Sequence, residues 1–175
     1  MTALPTDRTA HSTTDSLIGT LTLVTDGEAL TGLYMQSHRH APDPRSWGPA
    51  RPPDESAPVV RDAISQLSAY FNGELTHFDL ALAPSGTPFQ KQVWEQLLAI
   101  PYGKTASYGD LATLLGNPGA SRAVGLANAR NPISIVVPCH RVVGAAGQLT
   151  GYGGGLERKQ ALLALEQRVA GHSLW

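Results

Sequence analysis

The chain has a single cysteine, Cys139, in 175 residues, and that scarcity excludes whole classes of protein. One thiol cannot close an intramolecular disulfide or supply a cysteine-rich tetrahedral zinc site. It fits a chain of the reducing cytoplasm. No stretch approaches the roughly 18 apolar residues of a membrane helix, so no membrane partner is expected. The opening residues, MTALPTDRTAHSTTDS, have neither a basic start nor an apolar core. No secretory signal is visible there, and the expected location is cytoplasmic. Charge is thin as well. Only 15% of residues are charged and the net charge is −1, which argues against a chain coated in positive charge. Hydrophobic residues at 42% suffice for a real core in one domain or two small ones.

What charge there is lies unevenly. Residues 1–84 carry five Arg against ten Asp and Glu, whereas residues 85–175 carry eight Lys and Arg against four Asp and Glu. An acidic half joined to a basic half suggests that only the second meets a polyanion, although ordinary scatter gives the same numbers. The sign changes where the pattern changes, at Pro84-Ser85-Gly86. Two domains are therefore expected, 1–84 and 85–175.

In the first half, residues 1–15 read as a flexible Ser/Thr-rich tail. Leu21 and Leu23 alternate with threonines and Asp26-Gly27 supplies a turn, which predicts a hairpin. Six prolines from Pro42 to Pro58 predict a flexible surface loop over 37–58, because proline suits neither a helix interior nor a central strand. His38 and His40 at its start read as solvated side chains. Val60, Ile64, Leu67 and Phe71 recur at helical spacing ahead of a stop at Gly73. Phe78, Leu80 and Leu82 then alternate as another strand. The result is a small sheet with a helix and no catalytic constellation.

The second half reads as mainly helical, which makes the whole chain α+β. Thr87 caps and Pro88 opens a helix that stops near Pro101. Ser107 and Asp110 form a capping-box-like pair ahead of YGDLATLLG. After the turn NPGA comes a second short helix, SRAVGLANAR, ended by Asn131-Pro132. Two short helices around a Gly-containing turn are a helix-turn-helix pattern. Ala120, Ala123, Gly125 and Ala127 make the second helix small-sided, with Arg122 among them. Such a helix suits close approach to a groove or to another helix. In the last helix Leu156, Leu162, Leu163 and Val169 bound an apolar arc with Glu166 inside it. A carboxylate there either reaches back to solvent or is held for a partner, since burying an unpaired charge is costly.

Cys139 sits in IVVPCHRVVG, next to His140. A buried cysteine is usually a small hydrophobe. With His140 as base and Glu166 as the group that orients it, however, the three are the parts of an activated thiol. Neighbours in an extended chain point to opposite sides, so a water would bridge them. A cysteine hydrolase would use the same parts.

The segment PCHRVVG, preceded by RNPISIVV and followed by GQLTGYGGGLERKQALLALE, closely resembles the O6-alkylguanine-DNA alkyltransferases. VWEQLLAIPYGKTASYGDLA and GNPGASRAVGLANARNP resemble the family's helices in the same order. The first half is similar only in outline. The resemblance implies a small ribonuclease-H-like sheet domain followed by a winged-helix-like domain with a helix-turn-helix. It further implies a single-turnover, irreversible transfer of an alkyl group from O6 of guanine in duplex DNA to Cys139. The base would be flipped out from the minor-groove side, and O4-alkylthymine is left open as a second substrate. No cofactor and no metal are implied.

In that resemblance His140 deprotonates Cys139 through a water and Glu166 orients the imidazole. Asn131 holds the hinge behind the DNA-reading helix, and Tyr108 helps turn the nucleotide out and protonates the departing guanine. Arg122 fills the vacated space, and Ala123, Gly125 and Ala129 line the helix face towards DNA. Pro138, Val142, Tyr152, Gly153 and Lys159 surround the guanine pocket. Gly153 stands where many relatives carry serine, which removes a hydroxyl contact. The expected partner is double-stranded DNA carrying an alkylated guanine. The protein is expected to be monomeric in solution, with cooperative assembly on DNA left open. Two rival readings remain from the residues alone, a cysteine hydrolase and a non-catalytic helix-turn-helix DNA-binding protein.

Overall fold

The computed structural model describes residues 8–172. Three antiparallel strands form a meander in the order β1 (Ala10–Thr14), β2 (Leu21–Thr25) and β3 (Leu30–Met35). Asp26 makes the β2–β3 turn by accepting hydrogen bonds from the Glu28 and Ala29 amides, the usual turn chemistry of an aspartate. Strand β1 corrects the expectation of a flexible tail where it can be described; residues 1–7 of that expected tail lie outside the described residues. Its residues pair with β2 from Ala10↔Thr25 to Thr14↔Leu21, and Ala10 and Ser12 are buried.

The proline-rich segment is also tied down rather than flexible. It takes two short 3-10 turns, Pro44–Trp47 and Pro53–Glu55. The His11 amide donates to Pro49 O and the Arg51 amide to His11 O. The Trp47 ring stacks on Tyr34 at 5.6 Å. Proline removes amide donors but leaves its carbonyl, and here the Pro49 carbonyl accepts from the outer edge of β1.

Helix α1 (Pro58–Phe71) covers the sheet with Val60, Ala63, Leu67 and Tyr70 fully buried. The stripe is turned from the expected one. Ile64 and Phe71 are half-buried, and Ala63 and Tyr70 take the inner positions. The expected strand at 78–82 is reduced to one bridge, Leu30↔Leu82, with Phe78, Leu80 and Leu82 half-buried in alternation. Leu33 of β3 then bridges to Ile133. The two halves of the chain are thus hydrogen-bonded along one strand edge, and one cluster of buried side chains runs through both.

The second half contains α2 (Pro88–Leu98), β4 (Ala106–Ser107), α3 (Tyr108–Leu114), α4 (Ser121–Ala129), β5 (Val142–Val143) and α5 (Leu156–His172). Complete capping boxes start α2 (Thr87 with Gln90) and α3 (Ser107 with Asp110), each satisfying two backbone donors. Helices α3 and α4 make the helix-turn-helix corner. Trp94 Nε1 of α2 donates to Ala127 O, so the small residues of α4 divide their duty. Ala127 faces the core, and Ala123, Gly125 and Ala129 face outward. In α5 the inner face is Lys159, Leu162, Leu163, Leu165 and Glu166. Leu156, expected inside, is 48% exposed. Each fully buried leucine contributes about 1.5–3 kcal/mol, and these layers fix the backbone that carries the site.

Candidate active site

The apolar run before Cys139 is not a strand. From Ile133 to Cys139 it is a chain of tight turns, with the Val136 amide donating to Ser134 O and the Cys139 amide to Val137 O. Ile135 has φ +74°, a strained conformation for a β-branched residue. Asn131 holds these turns from within. Its Nδ2 donates to Val137 O at 2.8 Å, and its Oδ1 accepts from the Ile133 amide at 3.0 Å. Strained backbone persists only where its surroundings over-determine it, and Asn131 supplies that constraint. Cys139–Arg141 is itself a 3-10 turn, not the extended chain expected.

The turn sends His140 and Arg141 into one carboxylate. His140 Nε2 lies 2.5 Å from Glu166 Oε2, and both side chains are buried. Arg141 Nε donates to Glu166 Oε1 at 2.7 Å and Nη2 to Oε2 at 3.3 Å. The Tyr70 hydroxyl donates to Oε2 at 2.6 Å, and the Gly103 amide to Oε1 at 3.3 Å. Glu166 therefore does not reach back to solvent. Burial alone would raise its pKa, but the hydrogen bonds of His140 and Arg141, with the guanidinium charge, outweigh this and lower it to about 2. A carboxylate so held only accepts hydrogen bonds, so the proton between them belongs to His140 Nε2. The other ring nitrogen, Nδ1, is buried without a hydrogen-bond partner among the described residues. Burial holds the imidazole below its ordinary pKa. The resting ring is neutral, with Nδ1 as its basic lone pair.

Cys139, next to His140 in the chain, is buried as well. Desolvation raises its pKa, and nearby Asn131, Lys159 and Ser134 draw it back down in part. The thiol therefore rests protonated and hidden. Iodoacetamide at neutral pH should label it about tenfold or more slowly than free cysteine, as read by intact mass. Lys159 is fully buried, and desolvation lowers its pKa to about 8. Its Nζ donates to Thr150 O at 2.7 Å. The Tyr108 hydroxyl donates to the same carbonyl at 3.2 Å.

Thr150 thus links the buried cluster to an open cleft of about 450 Å³ lined by Tyr108, Arg122, Gly125, Leu126, Ala129 and Gly151 among others. Four residues expected to face DNA meet there, and Ala123 lies on the exposed side of the same helix. Pro138, Val142, Tyr152 and Gly153 are buried around the thiol turn and its covering loop. The loop is not bare. A Cβ on Gly153 would come within 2.6 Å of His38 Nε2, so a serine there would collide with the first half of the chain. His38 is accordingly not solvated as expected. Burial lowers its pKa to about 4.

Sequence reasoning missed Tyr70, Arg141 and Thr150. Arg141 adjoins His140 and was within reach of inspection. Thr150 acts through its carbonyl, and Tyr70 lies 96 residues from its partner, so neither leaves a local signal.

Residues 88–168 match the family model described as 6-O-methylguanine DNA methyltransferase, DNA binding domain. Residues 10–84 match its ribonuclease-like domain. A methylated-DNA–protein-cysteine methyltransferase of Mycobacterium tuberculosis is 55% identical over 91% of this chain and 93% of its own. One of Methanosarcina acetivorans is 52% identical over 87% and 94%. The crystal structure of the M. tuberculosis O6-methylguanine methyltransferase superposes with a TM-score of 0.82 at 53% identity, over 91% of this chain and 93% of that one. The M. tuberculosis OGT in complex with DNA gives 0.81 at 52%, over 91% and 94%. With both halves matched in order and most of the length shared, this chain belongs to the O6-alkylguanine-DNA alkyltransferase family.

Proposed function

We propose that this protein repairs duplex DNA directly by moving an alkyl group from O6 of guanine to Cys139, once per molecule. The single observation that carries this is the His140 ring, with Nε2 bound to Glu166, Nδ1 buried without a partner among the described residues, and the buried Cys139 as its neighbour in the chain. That ring is placed to take one proton, through a bridging water. As the thiol proton passes to Nδ1, the sulfur pair forms a bond to the alkyl carbon. The carbon–O6 bond breaks and its electron pair stays on the guanine. Tyr108 then supplies the proton that neutralises the departing base. Lys159, close enough to the thiol to feel its charge, favours the thiolate as it forms. The thioether product has no easy leaving group, so the reaction ends there.

Reaching O6 requires the base to leave the stack. The α3–α4 corner with its cleft suits a minor-groove approach, where small side chains let backbone come close. In this reading the first half is a ribonuclease-H-like domain and the second a winged-helix-like domain. The protein works as a cytoplasmic monomer on DNA carrying an alkylated guanine, without a cofactor. Incubation with excess O6-methylguanine duplex should add one methyl per chain, located at Cys139 by peptide mass. Several repaired guanines per chain would indicate a turnover enzyme and refute the proposal.

A further inference from the structure

The Tyr70 hydroxyl and the His140 ring share one oxygen of Glu166. They lie 2.6 Å and 2.5 Å from Oε2, and they come from the two halves of the chain. We propose that Tyr70, on α1 of the first half, is a positioning residue for alkyl transfer that acts on His140 through Glu166. The inference rests on the relay described above and extends it into the half of the chain that carries no reacting group.

A structural reason for Tyr70 is already at hand, since buried carboxylates need donors. Three features give it more. Arg141 and the Gly103 amide already engage Oε1, while among the described residues Oε2 has His140, Tyr70 and a long contact from Arg141. The Tyr70 ring is fixed edge-on by Phe71 and Tyr102 and tilted against Phe78, so its hydroxyl cannot swing elsewhere. Burial and the neighbouring carboxylate raise its pKa, so it remains a donor at every working pH. A second donor on Oε2 withdraws charge from the oxygen that holds the His140 proton, and thereby sets how basic the imidazole is.

The direction follows. Without the Tyr70 hydroxyl, Oε2 becomes a stronger acceptor and grips Nε2–H more tightly, which makes the ring more basic. At acidic pH more of His140 is then protonated at Nδ1 and unable to receive the thiol proton. The other groups facing this pair are Arg141 on the same turn, Lys159 on α5, Tyr102 before β4, and Tyr152 and Cys139. Tyr70→Phe leaves all of them in place. Phe also keeps the ring packing, so the fold is retained.

The test is single-turnover transfer from free O6-benzylguanine, which needs no base flipping, across about pH 5 to pH 9. Wild type, Tyr70→Phe, Glu166→Gln and the double variant are compared. Glu166→Gln should slow transfer about thirtyfold near neutrality. Tyr70→Phe should be about fivefold slow at the acid end and converge to within about twofold at the alkaline end. In the Glu166→Gln background, removing the hydroxyl should change nothing further. A pH-independent deficit, an unchanged profile, or the same loss in the Gln background would each overturn the role of Tyr70. If Glu166→Gln itself reacts at the wild-type rate, the relay fails and the proposal with it. A slow Glu166→Gln beside a wild-type-like Tyr70→Phe removes the proposal alone.

Discussion

Cys139→Ser is expected to abolish alkyl transfer, by more than about four orders of magnitude, while duplex affinity stays within about twofold of wild type. The two side chains are nearly the same size, so the buried turn around position 139 survives the exchange. Asn131 holds that turn through Val137 O and the Ile133 amide, and Asn128 reaches the carbonyl of residue 139. None of these bonds involves the sulfur. What changes is acidity and nucleophilicity. A thiol partly stabilised by Lys159 gives its proton to a neutral imidazole far more readily than an alcohol does, and sulfur is the far better nucleophile towards a saturated alkyl carbon. DNA binding depends on the cleft face of α3 and α4 and on phosphate contacts that position without regard to chemistry. Single-turnover kinetics and a binding isotherm at fixed salt measure the two sides. Loss of affinity together with activity would mean that the thiol turn also shapes the DNA face. Residual transfer by the serine variant would place the nucleophile elsewhere.

How much of this was legible in the sequence depended on the range of each interaction. Capping boxes at Thr87 and Ser107 are local chemistry, and both stand as read. Glu166 was detectable because a carboxylate inside an apolar arc breaks a rule, and its rule-breaking is explained by His140 and Arg141. The failures are of another kind. Strand β1 has too little apolar patterning to announce itself, and it forms because β2 offers an edge and the loop closes the other side through Pro49 O and the Arg51 amide. The inner stripe of α1 turned towards Tyr70 because that hydroxyl has a partner 96 residues away. Periodicity cannot see such a partner. The glycines of GYGGG read as freedom for a loop, whereas Gly153 and Gly154 are held where a Cβ would strike His38 and Met35. That is an effect of close approach, which single-chain patterns do not carry.

Arg122→Ala is expected to slow repair of O6-methylguanine in duplex DNA about a hundredfold, and to change reaction with free O6-benzylguanine by no more than about twofold. Arg122 lies exposed at the start of α4 and lines the cleft shared with Tyr108. Two roles fit that address, and they differ in what their loss removes. As a phosphate contact, its removal would weaken binding on any sequence and reduce the salt slope by about one. As a wedge, its removal leaves the flipped base without a filler for the gap it left, and restores much of the few kcal/mol that unstacking costs. The rate then falls at saturating protein, where a binding defect is masked. Arg122→Lys should recover only part of the rate, because a planar guanidinium stacks on neighbouring bases and an ammonium does not. The free base needs no flipping, and its reaction reads the pocket and the groups around the thiol without that step. Equal losses on duplex and free base would instead assign Arg122 to the shape of the pocket. A loss that vanishes at saturating protein would leave it as one phosphate contact among several.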